Sequence, residues 1–112
     1  MTCYLVECYT PNARWLALSP DERHAFLQQI EHGMAALAEL PVDILTLAPT
    51  TSGIERQSAH RFLGIWRFGN EQARAALLQG IAASGWYDYF DHENLAAAEI
   101  SFAEHVQDLI NI

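Results

Sequence analysis

The stretch His60-Arg61-Phe62-Leu63-Gly64-Ile65-Trp66-Arg67-Phe68 is apolar on two sides at once. Read as a strand, it places His60, Phe62, Gly64, Trp66 and Phe68 on one face. Leu63 and Ile65 fall on the other, flanked by Arg61 and Arg67. Cys3 to Thr10 repeats the pattern, with Tyr4, Val6 and Cys8 on one face and Cys3, Leu5, Tyr9 and the carboxylate Glu7 on the other. A sheet built from such strands must be covered on both faces, whereas helices on one side alone go with apolar–polar alternation.

The remaining elements follow from local signals. Pro11-Asn12 ends the first strand, and Arg14 to Leu18 is an apolar connector. Ser19-Pro20-Asp21-Glu22 joins an N-cap serine, a proline at N1 and a glutamate at N3, predicting a helix that runs to about Leu40, where Pro41 stops it. Phe26, Ile30, Met34 and Leu37 form its apolar stripe. Val42 to Ala48 reads as the second strand, Pro49 to Ala59 as a polar loop and His60 to Phe68 as the third strand. Asn70 caps a second helix with Ala73, Leu77 and Ile81 on one side, and Gly85 ends it. Trp86 to His92 is an aromatic and acidic connector, and Leu95 to Ile100 a weak fourth strand. Ser101-Phe102-Ala103-Glu104 opens a terminal helix with Phe102, Val106 and Leu109 inward. The order β-α-β-β-α-β plus a helix predicts an α+β, ferredoxin-like antiparallel sheet with two helices on one face. A second copy's sheet is the economical cover for the other face, giving a homodimer; the alternative is a terminal helix folded back over it.

At 112 residues the chain is one domain, 1–112. All 6 basic residues are arginine against 14 acids, for a net charge of −8. Without lysine there is no Schiff base and no P-loop, and the acidity argues against nucleic acid and anionic membrane as partners. The start Met1 to Glu7 has neither a basic region nor a long apolar one, predicting no signal peptide or membrane span. Cys3 and Cys8 fall on opposite strand faces, so they are expected to stay unpaired, which suggests a reducing cytoplasm.

The segments Tyr4 to Pro11, His60 to Phe68 and Ser84 to Asp91, with the element order and the two-sided sheet, resemble small bacterial proteins of the dimeric α+β barrel superfamily. The resemblance implies the barrel fold and a homodimer. It names no reaction, because the superfamily spans cofactor-independent monooxygenases, muconolactone-type isomerases, haem enzymes and stress-response proteins. No haem-ligand motif of that superfamily matches here, and no cofactor or metal is expected.

Three constellations remain as candidate sites. His60 shares a face with Phe62, Trp66 and Phe68, and Gly64 leaves space beside their rings; His60 is the candidate catalytic base. Glu7 with Arg61 and Arg67 is either a structural ion pair or an arginine site for a substrate carboxylate. Trp86 and Tyr87, followed by Asp91-His92-Glu93, either close a pocket mouth or plug the sheet edge. Adjacent strand residues cannot all face one ion, so the acid-His-acid run is weak as a metal site. The resulting expectation is a small apolar or aromatic molecule bound between sheet and helices by Tyr4, His60, Phe62, Trp66, Trp86 and Tyr87. A cofactor-independent monooxygenase or isomerase is the leading enzymatic reading. The alternative is a non-enzymatic stress-related or regulatory interaction protein. A cavity of at least ~300 Å3 with converging polar groups separates the two.

Overall fold

A computed structural model describes residues 1–112. The elements are β1 (Cys3–Pro11), α1 (Ala13–Ala17), α2 (Pro20–Ala35), β2 (Val42–Pro49), β3 (Phe62–Phe68), α3 (Glu71–Ala83), α4 (Trp86–Tyr89), β4 (Phe90–Ala98) and α5 (Phe102–Ile110). The strands form one antiparallel sheet in the order β2-β3-β1-β4. This is the α+β, ferredoxin-like arrangement read from the element order.

The helices begin where their caps require. Ser19 and Glu22 make a reciprocal capping box at α2, as Ser101 and Glu104 do at α5, and Asn70 accepts the Ala73 N–H at 2.8 Å. Each such cap is worth about 1 kcal/mol. Pairing of β1 with β3 sets Cys3, Leu5, Glu7 and Tyr9 opposite Phe68, Trp66, Gly64 and Phe62. Cys3, Leu5, Trp66 and Phe68 form the core with Ala73 and Leu77 of α3, and Met34 and Leu37 close over them half-buried. A second, aromatic cluster secures the other end. Trp15 of α1 lies 4.8 Å from Phe90, Phe26 of α2 lies 5.0 Å from Tyr89, and Trp86 stacks on Phe90 at 3.9 Å.

Several boundaries differ from expectation. The connector after Pro11 is a true helical turn, because the Asn12 side chain accepts the Arg14 and Trp15 N–H groups. The regular α-helix α2 ends at Ala35 rather than near Leu40. Leu37, Ala38 and Leu40 donate to carbonyls three residues back, so the last turns tighten before Pro41. β4 runs from Phe90, not Leu95, because residues 90–98 pair along the whole of β1 and that ladder overrides the helical preference of Ala96, Ala97 and Ala98. β3 starts at Phe62, two residues later than expected.

The second sheet face carries Tyr4, Val6 and Cys8 of β1, Leu63, Ile65 and Arg67 of β3, and Leu95 and Ala97 of β4. Nothing in the chain covers it. The fold-back alternative is not what forms: α5 buries no residue, Phe102 is 83% exposed and Leu95 71% exposed. β4 is an edge strand, so α5 leaves from the sheet's rim. Phe102, Val106 and Leu109, expected inward, therefore have no core to enter. The radius of gyration is 16.1 Å, against about 13 Å for a compact chain of this length. Cys3 is buried under the helices and Cys8 half-buried on the opposite face, both as free thiols. No helix is long and apolar enough to cross a membrane.

Candidate functional site

The one charged side chain in the core is Glu7, 4% exposed in the middle of β1. Its cross-strand neighbours are Gly64 on β3 and Asn94 on β4. Gly64 makes the room: a Cβ there would stand 2.8 Å from Glu7 Oε2, 2.9 Å from Leu47 Cδ2 and 3.3 Å from Trp66 Nε1. The Trp66 indole donates to Oε2 at 2.9 Å. Oε1 accepts no hydrogen bond from the protein, and the closest approach to it from a basic side chain is His92 Nε2 at 3.8 Å. Burial pushes the Glu7 carboxyl above its ordinary 4.5; the Trp66 hydrogen bond and the nearby His92 pull the other way. Burial dominates because no arginine stands beside the acid.

His92 completes this floor from β4, its side chain 3% exposed. The Trp86 indole donates to Nδ1 at 3.0 Å, and Nε2 lies 2.7 Å from Asn94 Oδ1. An indole only donates, so Nδ1 is the acceptor and Nε2 carries the hydrogen, aimed at Asn94. The ring lies parallel to Tyr9 at 5.8 Å, with the edge of Tyr87 at 5.2 Å. Burial, and then the charge of Glu7, hold the Tyr9 hydroxyl above its usual range, so Tyr9 remains a donor.

Above the floor, between α2 and α3, opens a small cleft of about 110 Å3. Ile30, Met34, Leu47, Leu77 and Ile81 supply apolar walls, Tyr9, Trp66 and Trp86 supply rings, and Glu7 supplies the acid. The space continues between the helices past Gly33 and Gly80 for about 100 Å3. A Cβ at either glycine would meet nothing within 4 Å, so neither is small for the sake of packing. No arginine lines either part.

The expected site residues divide between the two sheet faces. Trp66 and Trp86 line the cleft. Phe62 stacks on Tyr9 at 5.8 Å, and Tyr87 touches the far side of His92. Tyr4 is on the uncovered face, its hydroxyl donating to Glu99 at 3.0 Å. His60 is there too. It precedes β3, so strand alternation does not govern it, and its ring reaches Thr10 Oγ1 at 3.0 Å and Glu93 Oε1 at 2.8 Å. The anticipated contact of Glu7 with Arg61 and Arg67 does not form. The register sets Glu7 opposite Gly64, one residue out of phase with both arginines; Arg67 binds Asp43 at 3.1 Å and Arg61 is exposed.

His92 is the residue that sequence reading missed. A strand taken from Leu95 leaves it in a connector beside Asp91 and Glu93. A strand taken from Phe90 puts Phe90, His92 and Asn94 on the face of Glu7, and Asp91 and Glu93 on the other. No three His, Cys, Asp or Glu side chains come together as a metal site.

Solved structures share this architecture. A mutant chlorite dismutase from Candidatus Nitrospira defluvii aligns with a TM-score of 0.72 at 16% identity, over 95% of this chain and 43% of the other. The chain thus spans less than half the length of that protein. A dimeric ferredoxin-like protein of unknown function from Thermobifida fusca aligns with a TM-score of 0.55 at 13% identity, over 88% of this chain and 92% of the other. A DABB family protein with a ferredoxin-like fold from Mesorhizobium loti gives 0.55 at 10% identity, over 89% and 98%. At these identities the likeness is one of fold. No curated protein matches the sequence. The family profile that does match covers residues 2–112, and the chain belongs to that family, the family of unknown function DUF6616.

Proposed function

We propose that the protein is a cytoplasmic homodimer, each copy a single barrel-half domain, that binds a small, planar, mostly apolar molecule in the cleft between the sheet and α2 and α3. The observation that carries this reading is the buried carboxyl of Glu7, with no arginine beside it and no hydrogen bond to Oε1, at the floor of an otherwise apolar cleft. A buried acid with one oxygen left without a donor lowers stability and is a recurrent mark of a functional site. The space measures about 110 Å3, short of the ~300 Å3 that separates a ligand pocket from a filled core, so the reading rests on the convergence of Glu7, Tyr9 and Trp86 and not on size. The chemistry available is proton transfer. That suits a cofactor-independent isomerase, or a monooxygenase that takes dioxygen as its oxidant.

Homodimerisation rests on the uncovered face, where Val6, Leu63, Ile65 and Leu95 lie together, and on the apolar side of α5. The Thermobifida fusca protein of this fold is described as dimeric. The cytoplasmic placement rests on the two free thiols.

Calorimetric titration with 2-methoxynaphthalene, a flat probe without an acidic hydrogen, tests the cleft. Saturable binding at one site per chain is expected, with a loss of tenfold or more in Ile81→Phe, which narrows the walls. Unsaturable partitioning, or affinity indifferent to Ile81→Phe, overturns the reading.

A further inference from the structure

We infer that Glu7 is the proton acceptor of the cleft, and that the ligand is a neutral planar molecule presenting an acidic hydroxyl, a phenol or an enol, to Oε1. This inference rests on the cleft being the binding site. Its ground is a count of hydrogen-bonding capacity on the floor. The two indole N–H groups are donors and both are spent, Trp66 on Glu7 and Trp86 on His92. His92 Nδ1 is occupied by Trp86, and its Nε2–H is directed at Asn94. The Ser84 hydroxyl donates to the Ile81 carbonyl and accepts the Trp86 N–H. Oε1 of Glu7 is left an acceptor without a donor, and the Tyr9 hydroxyl, which also lines the cleft, is left free to donate or accept. An apolar ligand with a hydroxyl at one end supplies that donor, and an unfilled acceptor in such a site discriminates against ligands that lack it.

Charge narrows the class further. The titratable groups around Glu7 are His92 from β4 and Tyr9 from β1. β2 offers Leu47, β3 offers Trp66, α2 offers Ile30 and Met34, α3 offers Leu77 and Ile81, and α4 offers Trp86. With no arginine present, a ligand carboxylate would meet Glu7 without a counter-charge, so acids are excluded. In the reaction the substrate O–H bond breaks, its proton passes to Oε1, and the electron pair stays on oxygen as a phenolate or enolate. An isomerisation closes when Glu7 returns the same proton to a different atom of the substrate.

Calorimetry at pH 8 with 2-naphthol, 2-methoxynaphthalene and 2-naphthoate tests this on the full chain. In wild type, 2-naphthol is expected to bind about tenfold more tightly than the methyl ether, the ratio for one hydrogen bond to a carboxylate, and 2-naphthoate not to bind. Glu7→Gln keeps an acceptor for Trp66 and is expected to level the two neutral ligands. Should Glu7→Gln not fold, wild type at pH 4 replaces it, below the ordinary 4.5 from which burial raises the Glu7 carboxyl, where its protonation is expected to shrink the preference. Equal binding of 2-naphthol and its ether in wild type, persistence of the preference in Glu7→Gln, or tight 2-naphthoate overturns the inference while leaving the cleft as a binding site. Failure of all three ligands overturns the cleft reading itself.

Discussion

Replacing Gly64 with alanine isolates the contact on which the candidate site is built. The added methyl would stand 2.8 Å from Glu7 Oε2 and 2.9 Å from Leu47 Cδ2. Leu47 is 47% exposed on the neighbouring strand and can turn aside at little cost. Glu7 cannot, since its Oε2 is held by the Trp66 indole at 2.9 Å. Moving the carboxylate breaks a charge-assisted hydrogen bond worth about 1.5–3 kcal/mol. Alanine returns roughly 0.5–1 kcal/mol by stiffening the unfolded chain. The net expectation is a loss of about 1–2 kcal/mol, or roughly 4–8 °C in Tm for a domain of this size. Urea unfolding followed by tryptophan emission measures it. The same substitution in a Glu7→Ala background should instead stabilise by about 0.5–1 kcal/mol, so the double-mutant coupling is about 1.5–3 kcal/mol, the hydrogen bond itself. An undiminished loss in that background would show that the methyl collides with something other than the carboxylate and would refute the reasoning.

Three further outcomes are expected. Because burial raises the Glu7 carboxyl above 4.5 in the folded state, the folded protein holds a proton that the unfolded chain releases. Stability therefore falls as pH rises from about 4.5 through the folded value, by about 1.4 kcal/mol for each unit between them. Glu7→Gln should flatten that slope in urea midpoints taken from pH 4.5 to 8; parallel curves would contradict it. Ile65→Arg places a charge at the centre of the uncovered face and should weaken the dimer by about a hundredfold in sedimentation equilibrium while the monomer stays folded; an unaltered dissociation constant would move the interface elsewhere. His60→Ala should leave the affinity for 2-methoxynaphthalene within about twofold, since the ring contacts Thr10 and Glu93 on the opposite face; a tenfold loss would bring His60 back to the cleft.

The fold was legible because its signals are local. The Ser19 and Ser101 capping boxes, the Asn70 cap and the period-two pattern of β1 and β3 each need only a few residues to read. The two-sided apolarity of β3 gave the sheet with an uncovered face. The candidate site was legible in half. Trp66 could be named from its place beside Gly64 and Trp86 from the aromatic connector, but Glu7 was matched to the wrong partners. Its environment depends on register, which a shift of one residue inverts: pairing with β3 sets it opposite Gly64, and the β1–β4 ladder sets it opposite Asn94. Three alanines hid that ladder, so His92 went unplaced. His60 failed for a related reason: alternation was extended past the end of the strand that enforces it.

β1 carries one thiol on each of its faces, and this turns a single strand into a pair of chemical reporters. Cys3 is fully enclosed beneath the helices, so an alkylating reagent reaches it only when the sheet and helices part. Cys8 lies half-buried on the face that a second copy would cover. Its labelling rate therefore tracks the fraction of chains that are unassociated, and falls with protein concentration, while the rate at Cys3 does not. Folding and assembly can in this way be timed in one sample, by mass spectrometry of a peptide five residues apart from label to label.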